Sequence, residues 1–230
     1  MDKRQDLELV YFFGRIIASY SHEIRNVLAV INETTGLMND LLTYVYKDQS
    51  EKRDKLINLL VSVTGQLQRG EELSTCLNTF AHAPDKAENR IDVTYYLDTL
   101  VKLSTKIAAR RNLELQVKEK KKKLFLNTSP IEFLATVFSA VDCCFLIAGD
   151  RATIILDPEQ QQEGMTISCK CSETEPSSVA EMEESITSSD AWEKLNLFLE
   201  RTNCSVTLDL NSNQMQLSFA KSACSKASQT

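Results

Sequence analysis

From about Leu7 to Tyr46 the chain runs without a proline, and apolar side chains recur at Ile17, Ile24, Leu28, Ile31, Met38, Leu42 and Val45. Alternating steps of three and four residues leave one folding option, a long amphipathic helix. The polar run from Lys47 to Lys52 turns the chain, with Ser50 placed to cap a second helix through Leu56, Leu60, Val63, Leu67 and Leu77. The expected result is an antiparallel helical hairpin. Two helices hide two apolar stripes poorly, whereas two hairpins close a four-helix bundle, so a homodimer is expected. An intramolecular bundle, or packing on the C-terminal half, stays open.

The segment from His82 to Asn89 reads as a linker, because Pro84 disfavours helix in its predecessor. A second domain is expected from Ile91: a helix from Val93 to about Arg111, alternation at Leu113, Leu115 and Val117, and a strand at Leu124 to Leu126. A helix opened by Pro130 follows, then strands near Ala152 to Leu156 and Met165 to Cys171. Ser172 to Asp190 reads as a Ser/Glu-rich loop with a helical piece near Val179 to Ile186. Ala191 to Arg201 is a helix, and Ser205 to Leu210 pairs with Gln214 to Phe219 around Asn211-Ser212-Asn213. The fold class is α+β: a hairpin domain over residues 1–82, a two-layer α/β sandwich over 91–220, and a tail over 221–230.

A formal charge of −6 offers no general field for phosphate backbones, so no nucleic-acid partner is expected. The apolar stretch from Phe133 to Gly149 is broken by Ser139 and Asp142 and the first residues lack a signal-peptide core, so no membrane is expected and the location is cytoplasmic. Seven cysteines, none with zinc-ribbon spacing, read as reduced thiols, and Cys169 and Cys171 share one strand face.

The most informative segment is Ser21-His22-Glu23-Ile24-Arg25-Asn26. At about 100° per residue His22 lies nearly opposite Ile17, Ile24, Leu28 and Ile31, and so faces solvent. Ala18, Ala29 and Gly36 fall near the same azimuth, with Arg15, Arg25, Asn26 and Glu33 at the rim. Small residues let a partner approach the imidazole and charges orient it. An exposed histidine in a helix more often does nothing.

His22-Glu23-Ile24-Arg25-Asn26 followed by Leu28-Ala29-Val30-Ile31 resembles the H-box of sensor histidine kinases, whose phosphorylated histidine sits midway along the first helix of a dimeric hairpin. Val27 stands where that family commonly has proline, which straightens the helix. The resemblance makes His22 the phosphoacceptor, since a neutral imidazole nitrogen is nucleophilic near neutral pH. It makes Glu23 the acid that holds the proton on the other ring nitrogen, and lets Asn26 position a phosphoryl group or a water.

The order of elements after Ile91 resembles the ATP-binding domain of the same kinases, in degenerate form. Cys143 falls where the family's magnesium-binding asparagine stands, and a thiol is a poor ligand for that hard ion. The strand ending at Cys171 lacks the family's Asp-x-Gly-x-Gly, and Glu173, Glu175, Glu181, Glu183 and Glu184 replace the glycine-rich lid. Retaining the histidine while losing the ATP site resembles the ChpT-like histidine phosphotransferases, phosphorelay dimers that shuttle phosphoryl groups between the receiver-domain aspartates of response regulators. The resemblance implies no cofactor held by this chain, with magnesium supplied by the receiver. Two alternatives remain: a docking or inhibitory dimer that accepts no phosphate, and a divergent ATP-dependent kinase.

His82 reads as a solvated or helix-capping residue. Lys118 to Lys123 reads as the solvated tip of a hairpin, and Trp192, Leu195, Leu197 and Phe198 as packing on the sheet.

Overall fold

A computed structural model describes residues 3–41, 51–85, 89–162, 164–174 and 178–220. The expected turn at Lys47 with its Ser50 cap, the apolar positions Leu42 and Val45, and the tail 221–230 lie outside the described residues.

Helices α1 (Lys3–Asp40) and α2 (Glu51–Ala81) form the hairpin. The start of α1 meets the end of α2, with Phe12 and Phe80 ring centroids 5.4 Å apart, and Glu23 meets Arg69 further along, so the two run antiparallel. The face of α1 that is buried carries Phe12, Ile16, Ser19, Glu23 and Val27. This corrects the stripe expected from sequence, because Ile17 and Leu28 are exposed, Leu28 at 54%. The physical reason is that α1 packs on α3 as well as α2, and that double contact selects a face rotated from the apolar stripe.

The second domain comprises β1 (Asn89–Asp92), α3 (Val93–Ala109), β2 (Glu114–Val117), β3 (Phe125–Thr128), α4 (Pro130–Ile147), β4 (Thr153–Gln161), β5 (Gly164–Cys171), α5 (Val179–Thr187), α6 (Asp190–Leu199), β6 (Cys204–Asp209) and β7 (Gln214–Ala220). Asp92 caps α3 by accepting from the Tyr95 amide, and Pro130 opens α4 where its missing N–H costs nothing. A five-stranded sheet runs β2-β4-β5-β7-β6, with β2 parallel to β4 and the other pairs antiparallel. Helices α3 and α4 cover one face of it, and β4 and β7 alternate buried and half-buried residues accordingly.

Two expectations are corrected. Strand β1, too short to show periodicity, pairs antiparallel with β3 in a separate small sheet. Strands β2 and β3 therefore form no hairpin, and the lysine run is a crossover between sheets. Lys118 and Lys120 pair with Asp157, and Lys123 lies 3.7 Å from Asp92. Helix α4 has the length and hydropathy of a membrane span despite Ser139 and Asp142, yet 83% of that window is buried within the protein, which makes it the core helix.

The hairpin root and the sandwich share one apolar core. Phe12 also meets Phe138 of α4 at 5.2 Å, and both terminal nitrogens of Arg15 bond the Asp142 carboxylate. Packing on the C-terminal half, left open by the sequence, thus holds for this end of the hairpin.

Candidate functional site

His22 stands near the middle of α1 and is exposed as expected, though it flanks the buried face of Ser19 and Glu23 instead of lying opposite it. Helical side chains tilt toward the N-terminus, so Asn26 reaches back one turn and its Nδ2 lies 3.3 Å from His22 Nδ1. Amide oxygen and nitrogen exchange places by a half-rotation. As placed, Nδ2 donates to the Nδ1 lone pair; with the amide turned over, Oδ1 would accept from Nδ1–H and leave the Nε2 lone pair free to attack an electrophile. Asn26 is thereby the hydrogen-bond partner of the imidazole within α1.

Glu23 is corrected from its expected place. Its side chain leaves the His22 face and is buried at 3% exposure, with Oε2 accepting from Arg69 Nη2 at 2.6 Å and Oε1 lying 3.2 Å from the Lys106 ammonium. The Lys106 contact is an ion pair without hydrogen-bond alignment, and Oε1 has no hydrogen-bond partner among the described residues. A carboxylate buried this deeply needs two cations, and those come from α2 and α3, on the side of α1 away from solvent. It ties three helices together and does not touch the imidazole.

Of the rim residues, Ala18, Arg25, Ala29, Glu33 and Gly36 are exposed, and a Cβ at Gly36 would meet nothing within 4 Å. Arg15 is exposed but committed, bonding Asp142 and lying 4.7 Å from the Phe138 ring centre. Its ability to orient a partner is reduced. Arg69, Lys106 and Asp142 were not legible as part of this region because each arrives from a different helix. His82 is exposed, its Nδ1 2.7 Å from the Asp85 carboxylate.

Cys143, which the resemblance sets at the kinases' magnesium-binding asparagine, is fully buried, and burial with the nearby Asp142 charge pushes its thiol up to about 12. Cys144 and Cys171 bond each other's neighbourhood, Cys144 Sγ toward the Cys169 carbonyl and Cys171 Sγ toward the Cys144 carbonyl. The side chain of Cys169 acting on Cys144, that of Cys144 acting on Cys171, and burial of both hold the two thiols well above the ordinary range, so they pack as neutral groups. Among the described residues no group of three His, Cys, Asp or Glu side chains could hold a metal. Where β5 ends, the Gly149 amide bonds the Glu173 carbonyl at 3.1 Å and Ala148 pairs with Thr174, closing the chain over the end of α4. Helix α5, started by a Ser178/Glu181 capping box, then buries Met182 and Ile186, and α5 and α6 both pack on α4.

No known family and no curated protein matches the sequence. Among solved structures, the catalytic domain of histidine kinase ThkA is similar with a TM-score of 0.50 at 11% identity, covering 59% of this chain and 98% of that one. The C-terminal part of this chain therefore has the fold of a histidine-kinase catalytic domain, within an α+β architecture led by a helical region. Histidine kinase AdeS of Acinetobacter baumannii gives 0.47 at 9% identity over 87% of this chain and 98% of its own. ThkA in complex with response regulator protein TrrA gives 0.47 at 16%, over 96% of this chain and 64% of that one. Both of these likenesses are too loose to bear weight.

Proposed function

We propose that this chain acts in two-component signalling as a ChpT-like histidine phosphotransferase, a homodimer that relays phosphoryl groups between receiver-domain aspartates through His22 and draws no phosphate from ATP. The observation that carries the reading is the pairing of an exposed His22 with Asn26 on its Nδ1, on a helix whose neighbouring Ala18 and Ala29 leave room for a docking domain.

In the forward step the Nε2 lone pair attacks phosphorus of a receiver's aspartyl phosphate, the N–P bond forms, and the acyl P–O bond breaks to release carboxylate. The proton stays on Nδ1, where Asn26, its amide turned so that Oδ1 faces the ring, offsets the imidazolium charge. The second receiver's aspartate reverses these bonds. An acyl phosphate is already reactive, so positioning and charge compensation suffice, and magnesium belongs to the receiver. The reading without ATP is supported by Cys143, a buried neutral thiol where the resemblance sets the kinases' magnesium-binding asparagine.

The test is labelling by a phosphorylated receiver. Wild type should take up acid-labile, base-stable phosphate and His22→Ala none. Labelling by ATP and magnesium alone would instead favour the divergent kinase, and receiver binding that survives His22→Ala without any labelling would favour the docking dimer.

A further inference from the structure

One turn before His22, the exposed flank of α1 and the end of α3 enclose a cleft of about 260 Å3, lined by Arg15, Ser19, Lys106, Arg110 and Arg111. That is the volume of roughly nine waters at about 30 Å3 each, enough for a tetrahedral oxyanion with part of its hydration. Basic residues at a helix C-terminus need no ligand to explain them, because they offset the helix dipole. Ser19 has no such explanation. It is 4% exposed, it lines the cleft, and its hydroxyl has no hydrogen-bond partner among the described residues. A buried polar group without a partner costs free energy unless something supplies one.

The charges around it are unbalanced. Arg15 is met by Asp142, and Lys106 shares Glu23 with Arg69, while the Arg110 guanidinium has no carboxylate partner among the described residues and Arg111 lies 5.3 Å from the Phe145 ring centre. Four cations thus line the cleft, two of them met by carboxylates, and the excess is gathered on Arg110 and Arg111.

We propose that this cleft binds a phosphate-class oxyanion, with the Ser19 hydroxyl donating to it and Arg110 and Lys106 compensating its charge. The site rests on geometry independent of the relay reading, but it deepens that reading. His22 follows Ser19 by three residues, one turn along the same helix, so the two sources to separate are free phosphate and the phosphoryl group that His22 itself carries.

Inorganic phosphate is titrated into the full chain carrying His22→Ala, in buffer matched with chloride for ionic strength, following the amide resonances of Ser19, Ile107 and Arg110. Saturable shifts confined to these residues are expected, and Arg110→Gln should weaken binding roughly tenfold, the loss of one charge-assisted bond. Shifts that chloride reproduces, or equal affinity in Arg110→Gln, overturn the proposal. A parallel titration of the wild-type chain phosphorylated on His22 separates the sources: blocked phosphate binding assigns the cleft to the carried group, and undiminished binding assigns it to free phosphate. Phosphate binding without receiver labelling would sink the relay and leave the cleft standing; labelling without saturable phosphate binding would do the reverse.

Discussion

The hairpin and the sandwich solve the burial problem differently. Of the fifteen large apolar side chains exposed among the described residues, eleven lie on α1 and α2, with Val61 at 65%, while only Tyr95, Phe125, Leu146 and Val179 belong to the sandwich. The sandwich closes its own core around α4, where fifteen of eighteen residues are buried. The hairpin buries apolar residues from its root as far as Val27 and Leu73 and leaves the others exposed, which is the surface the proposed homodimer would cover. Helix α1 thus carries two apolar faces, Phe12, Ile16 and Val27 turned inward and Ile17 and Leu28 left exposed.

The largest expected effect attacks the place where the two regions merge. Phe80→Ala removes a ring packed on both Phe12 and Phe13 and should cost about 3–5 kcal/mol in a denaturant titration. A single cooperative transition is expected, and two separate ones would show that hairpin and sandwich fold apart.

Next is the sandwich interior. Cys143→Asn restores the kinases' residue type but buries an unmatched amide, and should cost about 1–3 kcal/mol without conferring binding of ATP, read by thermal melting and nucleotide titration. On the hairpin, Glu23→Gln should lower stability by about 1–2 kcal/mol, less than for a fully enclosed pair because Arg69 and Lys106 can reach water. Labelling by a phosphorylated receiver should stay within a few-fold of wild type; a loss as complete as in His22→Ala would return Glu23 to the chemistry.

Two smaller effects finish the comparison. Val61→Glu should leave the melting of the single chain nearly unchanged while abolishing association measured by sedimentation, since the residue touches little within its own chain. In the sandwich, burial works to raise the Asp157 carboxyl, but its bonds to Lys118 and Lys120 outweigh this and hold it below its ordinary value of 3.8. A lowered folded value means the stabilisation is present above 3.8 and lost as pH falls through the folded value. Asp157→Asn should therefore melt lower than wild type near neutral pH, by an amount on the order of 1 kcal/mol, and the gap should close on acidification.

The sequence made the hairpin, the α4 core helix and the β6–β7 pair legible, because each is long or bounded by strong turn residues: Asn213 takes the left-handed conformation at φ 52°. It made His22 and its neighbouring Asn26 legible through local spacing on one helix. It hid β1, whose four residues carry no periodicity, and the parallel pairing of β2 with β4, which depends on partners 39 residues away. Glu23 was misplaced for a related reason. Adjacency to His22 along the chain puts it about 100° around the helix, and only Arg69 and Lys106, from two other helices, decide which side of α1 becomes interior.

The most direct test of the relay is transfer itself. A receiver labelled on its aspartate is mixed with this chain, and acid-labile phosphate is followed on wild type, His22→Ala and Asn26→Leu. The account predicts rapid labelling of wild type, none of His22→Ala, and labelling of Asn26→Leu slowed roughly tenfold or more, as expected when a ring loses its hydrogen-bond partner. Equal labelling of wild type and His22→Ala would contradict it.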